Sequence, residues 1–130
     1  MTSSIIDVLK QMPNMLSLNG CSESEIQSAE EQLNLVFSKE YRDYTRTFGA
    51  VSIDGKQITG VVPFADASVV VSTASARSIY TDVPKDWYVV CDVHIDGLLY
   101  WQDSEGLIYK TVPGCAPQIV ANSLSEYIAM

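Results

Sequence analysis

The chain has 130 residues, 47% of them hydrophobic, and sets 16 acidic side chains against eight basic ones for a formal net charge of −8. That balance excludes a nucleic-acid binder, which needs lysine and arginine to displace counterions from phosphate. No apolar run approaches the ~18 residues of a membrane span, and the N-terminus MTSSIIDVLKQM has no basic region, long apolar core or cleavage site; a cytoplasmic protein with one domain over residues 1–130 is expected.

Ser3 or Ser4 can cap a first helix over residues 4–12, with Asp7 in its first turn and Pro13 ending it. A loop through Asn19-Gly20 follows. Ser22 and Glu25 form a capping box that opens a second helix at 23–34, burying Ile26, Ala29 and Leu33 and turning Glu23, Glu30, Glu31 and Gln32 outward. Ser38 caps a third helix with Tyr41, Tyr44, Thr45 and Phe48 on one face and Lys39, Glu40, Arg42, Asp43 and Arg46 on the other; Gly49 terminates it. From Val51 the apolar period changes to two, and Asp54-Gly55 marks a tight hairpin. Residues 66–80 read as a helix capped by Asp66 or Ser68, although the Val69–Val71 run alone favours a strand.

Trp87 to Thr111 is the densest β-forming stretch and reads as three successive antiparallel strands. A two-residue turn at Asp96-Gly97 would pair His94 with Leu99, Val93 with Tyr100, Asp92 with Trp101 and Cys91 with Gln102. One face then carries Val89, Cys91, Val93, Ile95, Leu98 and Tyr100 as its core side. The other carries Tyr88, Val90, Asp92, His94, Leu99 and Trp101, a mixed surface. After the turn Asp103–Gly106, Tyr109 is expected beside Tyr100, and Ile108 and Lys110 beside Trp101 and Leu99. Gln118–Val120 adds a short strand, and Ser123 with Glu126 opens a C-terminal helix. The expected architecture is α+β: N-terminal helices packed on one face of a mostly antiparallel, twisted sheet of about five or six strands, with a C-terminal helix.

Charge is unevenly spread. Residues 82–106 hold six acids (Asp82, Asp86, Asp92, Asp96, Asp103, Glu105) against Lys85 alone, more than half of the whole excess. An acidic surface beside exposed aromatics attracts a basic partner and speeds its association. Solvated turn acids that serve only solubility would give the same composition, and Trp101 and Leu99 would equally pack under a helix.

Catalytic signatures are missing. His94 is the only histidine, and on a strand Cys91 and His94 point to opposite faces, so they share no metal. His94 with Asp92 is the one acid–base pair available to an enzyme, and Asp103 with Glu105 the one turn offering two carboxylates to a cation. Cys21, Cys91 and Cys115 have no CxxC spacing and are expected as reduced, buried thiols. No cofactor, metal site or catalytic residue is expected.

The ordered series Glu25, Ile26, Glu30, Leu33, Tyr41, Phe48, Gly49, then Ile58-Thr59-Gly60, Asp96-Gly97 to Tyr100, Gly106-Leu107-Ile108-Tyr109 and Ser123–Ile128 resembles the SUKH superfamily, which includes fungal cell-wall-synthesis regulators and bacterial immunity proteins of polymorphic toxin systems. Phe37-Ser38 stands where that family usually has Leu-Pro, and Phe48-Gly49-Ala50 where it has Asn-Gly-Gly. The resemblance implies a non-catalytic, monomeric module that neutralises a cognate toxin with a basic surface, such as a nuclease, by blocking its active site. Tyr88 and Trp101 are then the expected anchors, and Asp92, Asp103 and Glu105 the expected partners of toxin lysines or arginines. The alternative implied by the fungal branch is a housekeeping interaction or scaffold protein of the same fold.

Overall fold

The computed structural model describes residues 4–130. Five helices, α1 (Ile5–Lys10), α2 (Glu23–Leu33), α3 (Lys39–Phe48), α4 (Val69–Ile79) and α5 (Leu124–Ala129), accompany seven strands. The strands are β1 (Leu16–Ser17), β2 (Val51–Ile53), β3 (Lys56–Ile58), β4 (Tyr88–Asp92), β5 (Leu99–Gln102), β6 (Ile108–Thr111) and β7 (Gln118–Ala121). They form one sheet in sequential order with every neighbouring pair antiparallel. The α+β reading holds, with β1 as a strand beyond the expected five or six.

Each helix begins with a serine whose hydroxyl accepts a first-turn N–H: Ser4 from Asp7, Ser22 from Glu25, Ser38 from Tyr41, Ser68 from Val71 and Ser123 from Glu126. Such a cap contributes about 1 kcal/mol and fixes where each helix starts. Ser3, the other candidate for the first cap, lies outside the described residues. The segment 66–80 resolves as α4 from Ser68, so capping and the three-four spacing of Val69, Thr73 and Ala76 outweigh the β preference of three valines.

One sheet face carries the larger core. Ile5 and Leu9, Ile26 and Leu33, Tyr41 and Tyr44, and Leu124 and Ile128 cover Val51, Ile53, Ile58, Tyr88, Val90, Cys91 and Ile108. At one end the backbones touch: a Cβ on Gly60 would overlap the Gly49 carbonyl oxygen, while Gly60 N–H donates to Ala67 at 2.8 Å and its carbonyl accepts from Val69 at 2.9 Å. Gly60 thereby ties the start of α4 to the end of α3.

The central hairpin differs from its expected register, and the difference decides which face each side chain occupies. Asp96 and Gly97 both take positive φ, and Leu98 N–H bonds the Ile95 carbonyl, as a type I′ turn requires. His94 is left-handed too, at φ 61°, with its N–H donated to Asp92 Oδ1 at 2.8 Å. His94 and Ile95 therefore loop out, and Asp92 pairs with Leu99, Cys91 with Tyr100, Val89 with Trp101 and Tyr88 with Gln102. A bulge between Val89 and Cys91 turns Val90 and Cys91 into the same core. The next turn is a three-residue loop with Gly106 at φ 102°, closed by Asp103 N–H to the Leu107 carbonyl. It slips the expected pairing by one residue, so Tyr109 faces Trp101 and Lys110 faces Tyr100.

The second face is covered as well. Ala76 of α4, Val83 and Trp87 of the following loop, and Val89, Leu99 and Trp101 form a smaller core with Tyr80 and Tyr109 packed against it. Where β3 ends, α4 also closes the edge of β4: the Thr73 hydroxyl accepts from Val89 N–H at 3.0 Å and the Thr59 hydroxyl donates to the Val89 carbonyl at 2.8 Å. The roof stops there. The same face of β1 to β3, carrying Leu16, Ser52 and Gln57, stays open.

Candidate functional site

The five residues expected to grip a partner separate into four groups. Tyr88 and Trp101 are both 0% exposed. Tyr88 lies in the larger core, where its hydroxyl accepts from Ser38 N–H at 3.0 Å and donates to Gln102 Oε1 at 2.8 Å. Burial raises its pKa well above the ordinary phenol value. Trp101 lies in the smaller core, with Tyr80 edge-on, Trp87 tilted beside it, and Nε1–H donated to Thr111 Oγ1 at 2.8 Å. Neither is available as a surface anchor: the bulge in β4 turns Tyr88 into the larger core, and α4 with residues 80–87 roofs the face that carries Trp101.

Asp103 is 8% exposed. Its Oδ1 accepts the N–H groups of Glu105 and Leu107, each at 3.0 Å, and its Oδ2 accepts the Tyr109 hydroxyl at 2.9 Å, so it builds the turn that was expected to present it. Among the described residues, no three histidine, cysteine or carboxylate side chains are grouped to hold a metal. Glu105 is exposed.

Tyr109 stacks on Trp87 at a centroid distance of 3.8 Å. Its pKa is pushed up to about 12, first by burial, then by the hydrogen bond to Asp103, then by the negative charges of Asp103, Asp86 and Glu105. Because the folded state holds the phenol above its ordinary value near 10, the associated stability is complete below that pH and is lost as pH rises toward 12. Ring-carbon NMR should place the Tyr109 midpoint near 12, and Asp103→Asn, which keeps the turn acceptor but removes the charge, should move it down. An unmoved midpoint would assign the whole shift to burial.

Asp92 is the expected site residue that the fold places on a wall of a cavity. Between α4 and the β4–β5 hairpin lies a cavity of about 240 Å³ bounded by Ala65, Asp66, Val71, Ser72, Ile79, Tyr80, Asp92 and His94 among others. Asp66 also lines an adjoining cavity of about 290 Å³ over the open face of β1 to β3, with Leu16, Leu18, Ser52 and Gln57. Asp66 lines both, and the two together are the groove beside α4. No lysine or arginine lines either part. Its flanks carry Leu16 at 72%, Ile79 at 66% and Val71 at 48% exposure. Exposed apolar side chains beside two acids give the groove a mixed apolar and acidic surface.

Asp66 and the apolar flank went unrecognised in the sequence. The chance lay in the α4 stripe: once Val69, Thr73 and Ala76 are assigned inward, Val71 and Ile79 must point outward. His94 sits on the exposed hairpin loop, its Nδ1 3.6 Å from Asp92 Oδ1, and Cys91 is buried in the larger core. Cys21 is likewise buried, whereas Cys115 is exposed in the loop before β7, against expectation; all three are free thiols. No helix among the described residues is long and apolar enough to cross a membrane.

Two other polar side chains also play roles that the sequence concealed. Glu30, expected on the outer face of α2, is buried and accepts from Phe37 N–H at 2.9 Å and from Arg42 Nη2 at 2.9 Å. Glu40, expected on the outer face of α3, accepts from Gln102 Nε2 at 2.9 Å, Leu124 N–H at 2.7 Å and Ser125 N–H at 3.0 Å.

The fold is similar to that of a protein from Pseudomonas syringae pv. tomato, whose crystal structure superposes with a TM-score of 0.75 at 17% identity, over 95% of this chain and 92% of that one. No curated protein sequence matches the chain. The SMI1-KNR4 cell-wall family model matches residues 2–129, which is nearly the whole sequence, and the chain therefore belongs to the SUKH superfamily.

Proposed function

We propose that the chain is a non-catalytic, cytoplasmic immunity protein that neutralises a cognate toxin by docking over its active site. The observation that carries this reading is the groove beside α4, where Asp66 and Asp92 stand among exposed aliphatic side chains with no lining lysine or arginine. A toxin whose own substrate groove is basic, as in a nuclease, is complementary to such a surface, and blocking it needs bulk and charge rather than chemistry. The superfamily supplies the scaffold and is consistent with this role, but a scaffold alone does not assign one. The housekeeping alternative, an interaction module without a toxin partner, is favoured by the cell-wall description of the matching family.

Co-expression with the product of the adjacent gene separates the two. An immunity protein should restore growth of cells expressing that product and co-purify with it. Cells that die equally with and without this chain would remove the toxin reading. Charge should act on the rate of encounter: association slows as salt rises, and Asp86→Lys with Glu105→Lys slows it further, by about tenfold at low ionic strength. Stopped-flow mixing reads both effects. These two acids are exposed, so their reversal leaves the fold intact, whereas Asp103 is needed by its own turn.

A further inference from the structure

We infer that the groove recognises one arginine held between apolar neighbours on a partner loop; this rests on the binding reading above and specifies its contact. The smaller cavity, about 240 Å³, lies below the roughly 300–1,000 Å³ of sites that enclose a small-molecule ligand. It is sized for a side chain. Its polar lining holds the carboxylates of Asp66 and Asp92 and the hydroxyls of Ser72 and Ser75, together with His94, whose backbone N–H donates to Asp92 Oδ1 and leaves Oδ2 for a ligand. A guanidinium, with five N–H donors in a planar fork, matches a wall of several acceptors better than the point charge of lysine does.

The surroundings specify the rest of the loop. Val71 and Ile79 stand exposed on one flank, and the adjoining cavity of about 290 Å³ presents Leu16 and Leu18 on the other side of Asp66. Apolar residues on both sides of the arginine would cover these side chains and keep water from the ion pair, which strengthens it. The acids at Asp82, Asp86 and Glu105 lie on exposed turns; they steer a basic partner without enclosing any part of it.

The probe is an acetylated and amidated pentapeptide, Ala-Leu-Arg-Leu-Ala, titrated into the isotope-labelled full chain, with its citrulline counterpart as the uncharged control of equal shape. Saturable amide shifts are expected at Asp66, Ser72, Ile79 and His94 for the arginine peptide, with a dissociation constant of about 1 mM for so small a contact. The citrulline peptide and the Asp66→Asn/Asp92→Asn variant should each bind about tenfold more weakly. Both substitutions keep a side-chain oxygen for local hydrogen bonds, and an unchanged amide spectrum elsewhere confirms the fold. Equal binding of the two peptides, shifts centred on Glu105 instead, or no saturable shift would overturn the inference. A toxin neutralised by a chain that fails this test would overturn the arginine contact alone, and a peptide bound by a chain that protects no cell would overturn the immunity reading alone.

Discussion

Trp101→Ala is expected to lower the unfolding free energy by about 3–5 kcal/mol, the cost of deleting a large, fully buried aromatic side chain. Trp101 has no exposed surface and fills the space between β5 and the α4 roof, with Ala76, Val83, Trp87, Val89 and Leu99 around it. Truncation opens a cavity and leaves the Thr111 hydroxyl without the indole donor that lies 2.8 Å away. The melting temperature should fall by roughly 10 °C or more. Trp101→Phe retains most of the ring volume, loses the hydrogen bond, and should cost less than half as much.

This pair of variants also tests the reassignment of Trp101 from anchor to core. A partner anchor would lose affinity on truncation while the free protein melted unchanged. A core residue lowers the melting temperature and leaves affinity intact when binding is measured where the variant is still folded. Near-wild-type stability of Trp101→Ala would mean that α4 does not cover the sheet as described, and the groove beside it would lose its wall.

Local grammar was the legible part of this chain. Ser22 with Glu25, Ser38, Ser68 and Ser123 announced their helices because a serine cap is a short-range device, complete within four residues. Asp54-Gly55 and Asp96-Gly97 announced their turns for the same reason, since positive φ is a demand on the two residues themselves. The register of the central hairpin was not legible, because it depended on His94 adopting a left-handed conformation and on a bulge at Val90. Nothing local to either residue marks them for those roles.

Site residues were harder to read for a related reason. Alternation along β4 and β5 distinguishes two faces but does not say that a helix 20 residues upstream will return to cover the second one. Trp101 therefore reads as surface and lies under that helix, Tyr88 is turned into the larger core by the bulge in β4, and Asp103 reads as a partner contact and holds its own loop. The residues that carry the family resemblance turn out to hold the fold together: Glu30 neutralises Arg42, Thr59 satisfies the edge of β4, and Gly60 lets two backbones touch. Asp66, Val71 and Ile79 of the groove lie outside that pattern, while Ile58, Thr59, Gly97 and Leu99 within it also line the groove.

The network around Glu40 yields the second large effect. Glu40 Oε1 accepts from Gln102 Nε2 and Leu124 N–H, and Oε2 accepts from Ser125 N–H, so one carboxylate joins α3, β5 and the first turn of α5. Gln102 passes the connection on, accepting from the Tyr88 hydroxyl and donating to the Gly106 carbonyl at 3.0 Å. The charge is well placed, since the first turn of a helix leaves N–H groups unpaired and favours an anion. Glu40→Gln keeps the shape but exchanges one acceptor oxygen for an NH2 group. Whichever way that amide turns, a donor meets a donor: Ser125 N–H on one side, or Leu124 N–H and Gln102 Nε2 on the other. The expected loss is about 2–3 kcal/mol, the cost of charged hydrogen bonds replaced by an unsatisfied group. Hydrogen exchange should report where the loss begins, with the amides of 124–130 opening before those of β4 and β5. Uniform acceleration across the chain would instead show that α5 separates only when the whole sheet does. Since Tyr88 is held through Gln102, a change at Glu40 that also quickens exchange at Ser38 N–H would demonstrate directly that the phenol belongs to this internal network.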